Sequence, residues 1–306
     1  MRLDGAVHAL TGRAATALTR PDLPWAARWQ ELAAVVAGLS ELVLAGPGAR
    51  VVAQELAELL VDAVPRHRPH RARLTELVDR VVDLHAVACA DDPAAPEELA
   101  RWLLHLQTGF AEPPEVRLAP YAAALGAQGL ERYRSWAVER FERLPVIGFG
   151  RTGRYDRERW ALLRVVEELA EHTGDVDLQV LVLTRDLSSG WHYLRVATVL
   201  RDAGRSEEAV QWVERGVVAT RGRGSAGPLV DLGVDECLRV GWAERAVGLR
   251  LRVLLEHPTA QAWHRLRVLA AGTVGWPGVR ERAVAALARD GDLPEWVSEP
   301  APDAGG

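Results

Sequence analysis

Apolar positions recur every three to four residues along almost the whole chain, the spacing that turns one stripe of an α-helix toward a core. Trp25, Trp29, Leu32, Val36, Leu39 and Val43 share one such face. Leu56, Leu59, Leu60 and Val64 form another, with Pro47 suited to a first helical turn and Pro65 ending the pattern. A long element spans 70–90: Leu74, Leu77, Val78, Val81, Val82, Leu84, Val87 and Ala88 are expected inside, and Glu76, Asp79 and Asp83 outside with Arg73 and Arg80 as local ion-pair partners. Asp91-Asp92-Pro93 closes it. Pro96 with Glu97 and Glu98 opens the next helix, carrying Leu99, Trp102, Leu103 and Leu106, because carboxylates favour the positive end of the helix dipole. No stretch alternates convincingly as a strand does.

The second half reads as helix hairpins. Trp160 to Ala170 and Val176 to Leu187 pair across Gly174. Ser188-Ser189-Gly190 breaks the pattern, a serine there being able to cap the helix from Trp191. That helix runs to Ala203, Gly204-Arg205 turns the chain, and Ser206 is expected to cap a partner with Glu207 and Glu208 in its first turn. Gly204-x4-Ala209 recurs 37 residues later as Gly241-x4-Ala246, and Ala283 lies 37 further on. Small residues let two antiparallel helices approach, and neighbouring pairs bury what one pair leaves open. With Ala209 as the small residue of a second helix, Tyr193, Val196, Ala197 and Leu200 fall on the inner positions of the first, and Val213 and Gly216 on those of the second. Pro258, after Leu254-Leu255-Glu256-His257, stands where the tetratricopeptide pattern places a proline. The expected fold class is all-α, an α-solenoid of antiparallel helix pairs, tetratricopeptide-like in the C-terminal half. The expected organisation is a helical region at 1–147, a glycine-rich connection at 148–154, repeats at 155–297 and a disordered tail at 298–306, with a flexible loop at 221–227.

Arg185-Asp-Leu-Ser-Ser189, Tyr193-Leu-Arg-Val-Ala197 and Ala203 to Val210 carry a resemblance. So do Leu84-His85-x3-Cys89 and the run Tyr121 to Pro145 with Gly126, Gly129, Leu130, Tyr133 and Leu144. Together they resemble the helical-repeat region that follows the zinc finger in bacterial SWIM-type zinc-finger proteins, over roughly residues 40–290 and most densely at 120–220. The finger itself needs Cys-x-Cys followed by Cys-x-His, and this chain has neither. The resemblance therefore implies a helical domain without zinc or zinc-dependent DNA contact.

Composition removes several chemistries. All 37 basic positions among the 306 residues are arginine, so no amine exists for a Walker loop, a pyridoxal Schiff base or a kinase strand lysine. The net charge of −5 splits evenly along the chain, which gives no basic half to attract nucleic acid or anionic lipid. The island Arg66-His67-Arg68-Pro69-His70-Arg71 reads as a solvated connection opening a helix. Two distant cysteines, Cys89 and Cys237, in apolar surroundings suggest buried thiols in a reducing compartment. The first residues do not read as a signal peptide, and no apolar run reaches the roughly 20 residues of a membrane span. A cytoplasmic location is expected.

Gly148-Phe-Gly150-Arg-Thr-Gly153 spells the dinucleotide fingerprint but follows a helix ending at Pro145 rather than a buried strand, so it reads as a hinge. His85 and Cys89 are one helical turn apart, yet no second ligand pair accompanies them, which points to packing. Ser188 and Ser225 lack the strand-to-helix elbow of a hydrolase nucleophile. Trp102, Trp136, Trp160, Trp212 and Trp263 are expected in the core. No catalytic residue, cofactor or metal is expected. In a repeat stack the first helix of each pair lines the concave face, which assigns partner binding to Arg164, Glu168, Trp191, Arg201, Asp231, Asp235 and Arg265. The expected function is a non-catalytic scaffold for a protein or peptide partner. The alternatives are an accessory subunit of a nucleic-acid-associated system, touching nucleic acid only indirectly, and an enzyme with an unrecognised site.

Overall fold

The computed structural model describes residues 3–153, 156–221, 226–288 and 293–297. Of the flexible loop expected at 221–227, residues 222–225 lie outside the described residues, as does the tail at 298–306, while Ala226 and Gly227 open a helix rather than continue the loop. The apolar periodicity becomes fourteen α-helices among the described residues: α1 (Leu3–Thr19), α2 (Trp25–Ala45), α3 (Ala49–Ala63), α4 (Arg71–Asp91), α5 (Pro96–Thr108), α6 (Ala122–Glu142), α7 (Arg157–Thr173), α8 (Val176–Leu183), α9 (Gly190–Asp202), α10 (Ser206–Thr220), α11 (Ala226–Arg239), α12 (Ala243–Glu256), α13 (Ala260–Gly272) and α14 (Trp276–Leu287). Strand-like pairing among these residues amounts to one isolated parallel bridge between Ile147 and Asp186. The fold is all-α, and no described helix is long and apolar enough to cross a membrane.

The helices group into two compact units. The first comprises the chain through Leu144 and α7 up to Asp175; the second comprises Pro145–Gly153 and the chain from Val176. In the first, α3 packs on α4, and α5 packs on α6. The stripe of α4 is as read at Leu74, Leu77, Val78, Val81 and Val82, but it then drifts: His85 and Cys89 are fully buried while Val87 faces solvent. Helices α5 and α6 run in the same direction, since Glu97 at the start of α5 pairs with Arg132 midway along α6, and Thr108 at the end of α5 accepts from Arg140 near the end of α6. A hairpin cannot produce that arrangement; the excursion through residues 109–121 carries the chain back to the starting level. Gly129 permits the contact, because a Cβ there would stand 2.9 Å from the Pro96 carbonyl oxygen. Helix α7, which the repeat reading assigns to the C-terminal region, packs on α5 and α6. Its start is capped by Asp156, whose carboxylate accepts from the Glu158 and Arg159 amides.

In the second unit α9 packs on both α10 and α11, α11 on α12, α12 on α13 and α13 on α14, a stack of hairpins. The small positions lie at the closest approaches: a Cβ on Gly216 would be 2.8 Å from the Tyr193 Cβ and 2.5 Å from Leu229. Tyr193, Val196, Ala197, Leu200, Ala209 and Val213 are all buried, at the positions the repeat assigned to the core. Each fully buried aliphatic side chain contributes about 1.5–3 kcal/mol. Gly204 and Gly241 take positive φ (75° and 84°), and each turn closes with the next residue's amide on a carbonyl five residues back, Arg205 to Leu200 and Trp242 to Cys237. The third copy slips by one helical turn. Ala209 and Ala246 are the fourth residues of α10 and α12, but the fourth residue of α14 is Val279, and Ala283 comes one turn later.

Two expected caps differ. Ser206 is the first residue of α10 rather than its cap, and Ser189 at the α9 cap position makes no side-chain capping bond. The Gly148–Gly153 stretch is tied to its own unit rather than left free: Ile147 bonds to Arg185 and Leu187, and the Gly150 amide to the Ser188 carbonyl.

Candidate functional site

The exposed face of α9 carries the largest uncovered aromatic of the repeat stack. Trp191 is 49% exposed, with the Arg195 guanidinium 4.9 Å from its ring centroid and the His192 ring edge-on at 5.7 Å. Helical spacing puts positions 191 and 195 one above the other, so the cation lies over the indole face. At the other end of α9, Arg201 is bonded to its neighbour Asp202 at 2.8 Å. On α11, Asp235 is exposed, and Asp231 accepts from Arg250 of α12 at 2.5 Å with Arg265 of α13 at 3.9 Å. Of the expected partner-binding residues the fold brings Asp231 and Arg265 together, and it sets Trp191, Arg201 and Asp235 on the same unit as separate surface positions.

Arg164 and Glu168 belong to the first unit and serve its packing. Arg164 lies 4.5 Å over the Trp160 ring and pairs with Glu115 at 2.9 Å, while Glu168 accepts the Leu118 amide at 2.8 Å. Trp160, expected in the core, is 43% exposed and held by that arginine; Trp102 and Trp263 are buried as expected. Two residues that periodicity did not single out matter to the geometry of the second unit. Arg250 and His257 line a cavity of about 180 Å³ at the junction of α11, α12 and α13, together with Arg265 and Gln261. The only signal for them in the sequence is the repeat-ending His257-Pro258.

The other chemistry-bearing clusters are committed to structure. Tyr121 donates to the Val82 carbonyl at 2.9 Å, so its oxygen is left to accept from His85 Nδ1 at 3.1 Å. Burial, with Arg50 nearby, pushes His85 down to about 3, and burial pushes the Cys89 thiol up to about 11. Both are therefore neutral, and among the described residues no group of three or more ligating side chains could hold a metal. Ser189 Oγ lies 3.0 Å from His192 Nδ1, but His192 Nε2 stands 3.8 Å from Asp186, too far for the hydrogen bond that orients a catalytic histidine. A basic recess of about 480 Å³ beside Trp136 holds Arg101, Arg140 and Arg143, which pair with Glu97, Glu158 and Glu139. Arginines there answer carboxylates and the two helix C-termini that end side by side. In the basic island, His70 stacks on Trp25 with centroids 3.9 Å apart, and His67 packs on the same ring.

No protein-family model, no curated protein and no solved structure matches this chain.

Proposed function

We propose that the chain is a non-catalytic, tetratricopeptide-like scaffold that binds a protein or peptide partner in the cytoplasm, a relative of the helical region of SWIM-type zinc-finger proteins without their finger. The observation that carries the reading is Trp191, a half-exposed indole held flat by Arg195 on a rigid helix whose opposite face is fully packed. Tryptophan and arginine are enriched among the residues that dominate the energetics of protein interfaces. Asp231, Asp235 and Arg265 add both charge signs on the same unit, which suits a peptide bearing mixed charges.

The test is a double substitution, Trp191→Ala with Arg201→Gln, in the full chain. Both side chains are surface groups; Arg201 pairs with exposed Asp202 and adds a lesser attraction to Glu236, whose bonded partner is Arg239, so the melting temperature is expected to stay within a degree or two. Capture of a partner co-purified from the native cell at moderate salt is expected to be lost. A double variant that unfolds, or one that retains the partner undiminished, refutes this face.

A further inference from the structure

We infer that the junction of α11, α12 and α13 is a carboxylate-recognition pocket that receives an acidic side chain of the partner, an inference that rests on the scaffold reading and names the chemistry of what is bound. The cavity is about 180 Å³, lined by Val230, Arg250, Val253, His257, Gln261 and Arg265. That volume admits the end of one side chain.

Three features converge in it. The Arg250 guanidinium bonds Asp231 Oδ1 at 2.5 Å, and the Arg265 guanidinium stands 3.9 Å from the same oxygen, within ion-pair but not hydrogen-bond reach, so two cations converge on one carboxylate position. Two guanidiniums against one carboxylate leave one positive charge, and the Arg250 side chain is only 16% exposed, where that charge is weakly screened. His257 lines the same cavity, and its Nε2 is buried without a hydrogen-bond partner among the described residues. Val230 and Val253 supply apolar wall for the methylenes of a glutamate. Charge balance selects one carboxylate over a phosphate dianion: a single negative charge neutralises the pocket, whereas two would crowd Asp231 with excess charge.

The test uses the full chain with isotope-labelled histidine, followed by NMR. The His257 ring resonance is assigned as the one of nine that disappears in His257→Gln. Three probes are titrated: the capped peptide acetyl-Ala-Glu-Ala-amide, its glutamine counterpart, and inorganic phosphate. The glutamate peptide is expected to shift the His257 resonance saturably, with the glutamine peptide at least tenfold weaker. Arg265→Gln, whose side chain is 47% exposed and which a melt will show to be folded, is expected to weaken the glutamate peptide at least tenfold. Equal binding of the two peptides, indifference to Arg265→Gln, or phosphate saturating at lower concentration than the glutamate peptide each overturns the pocket. The two readings fail separately. Loss of the titration, with partner capture still abolished by Trp191→Ala/Arg201→Gln, removes the pocket alone. A saturating titration in a chain whose double variant still holds its partner removes the Trp191 face alone.

Discussion

Acidification offers a direct measurement of how the first unit holds its buried imidazole. His85 is wholly enclosed by α4, α5 and the turn at Tyr121, with the Trp102 ring 4.1 Å away, and burial followed by the Arg50 charge lowers it to about 3. An unfolded histidine titrates near 6.5. The folded chain thus binds fewer protons than the unfolded chain between those values, and stability falls as pH drops through that window; it is fully present above about 6.5. At pH 5 the unfolded imidazole is charged and the folded one is not, a difference worth about 2 kcal/mol relative to pH 7.5. For a unit of this size that corresponds to about 4–8 °C in melting temperature. The assay is a pair of melts at pH 7.5 and 5.0 for the wild type and for His85→Gln, which keeps an amide donor for Tyr121 but cannot titrate. His67 is also lowered, by burial and by Arg28 and Arg66, and its contribution appears in both proteins, so the difference between slopes isolates His85. Stopping at pH 5 keeps most carboxylates ionised. Should His85→Gln lose as much stability between the two pH values as the wild type, the imidazole is either not enclosed or already charged, and the reasoning fails.

Tyr121→Phe should cost about 1–3 kcal/mol by urea unfolding, because it takes the hydroxyl partner from buried His85 Nδ1 and a second bond from the Val82 carbonyl. Gly216→Val should destabilise the second unit by about 1–3 kcal/mol, since the added atoms meet the Tyr193 Cβ, which cannot move aside. Gly248→Ala, in the middle of α12 with open space around its Cα, should instead raise stability by up to about 1 kcal/mol, and melts of the two glycine variants side by side separate packing from helix propensity. Glu58→Ala should leave the buried Trp102 indole N–H without its 2.7 Å acceptor and cost about 1–3 kcal/mol in the same melts.

The helices and the glycine turns between them were legible from residue order alone, although the serine caps expected at Ser189 and Ser206 were not formed. The three-to-four-residue period, Pro96 with Glu97 and Glu98, Gly204 and Gly241, and the small residues Ala209, Gly216 and Ala246 act over a few residues or one hairpin, and the fold uses each as read. Tertiary structure decided what depends on residues far apart in the chain. The parallel run of α5 and α6 rests on contacts such as Thr108 with Arg140, and no periodicity distinguishes parallel from antiparallel packing. The one-turn slip of Ala283, the packing of α7 on α5 and α6, and the use of Arg164 and Glu168 as partners of Glu115 and Leu118 likewise follow from which helices meet. So does the convergence of Arg250, Arg265 and His257, from two helices and the residues between them, on one small cavity. A helix stripe records that a face is buried, because apolar burial is non-directional; which partner buries it is fixed only when shapes and charges from distant segments are brought into contact.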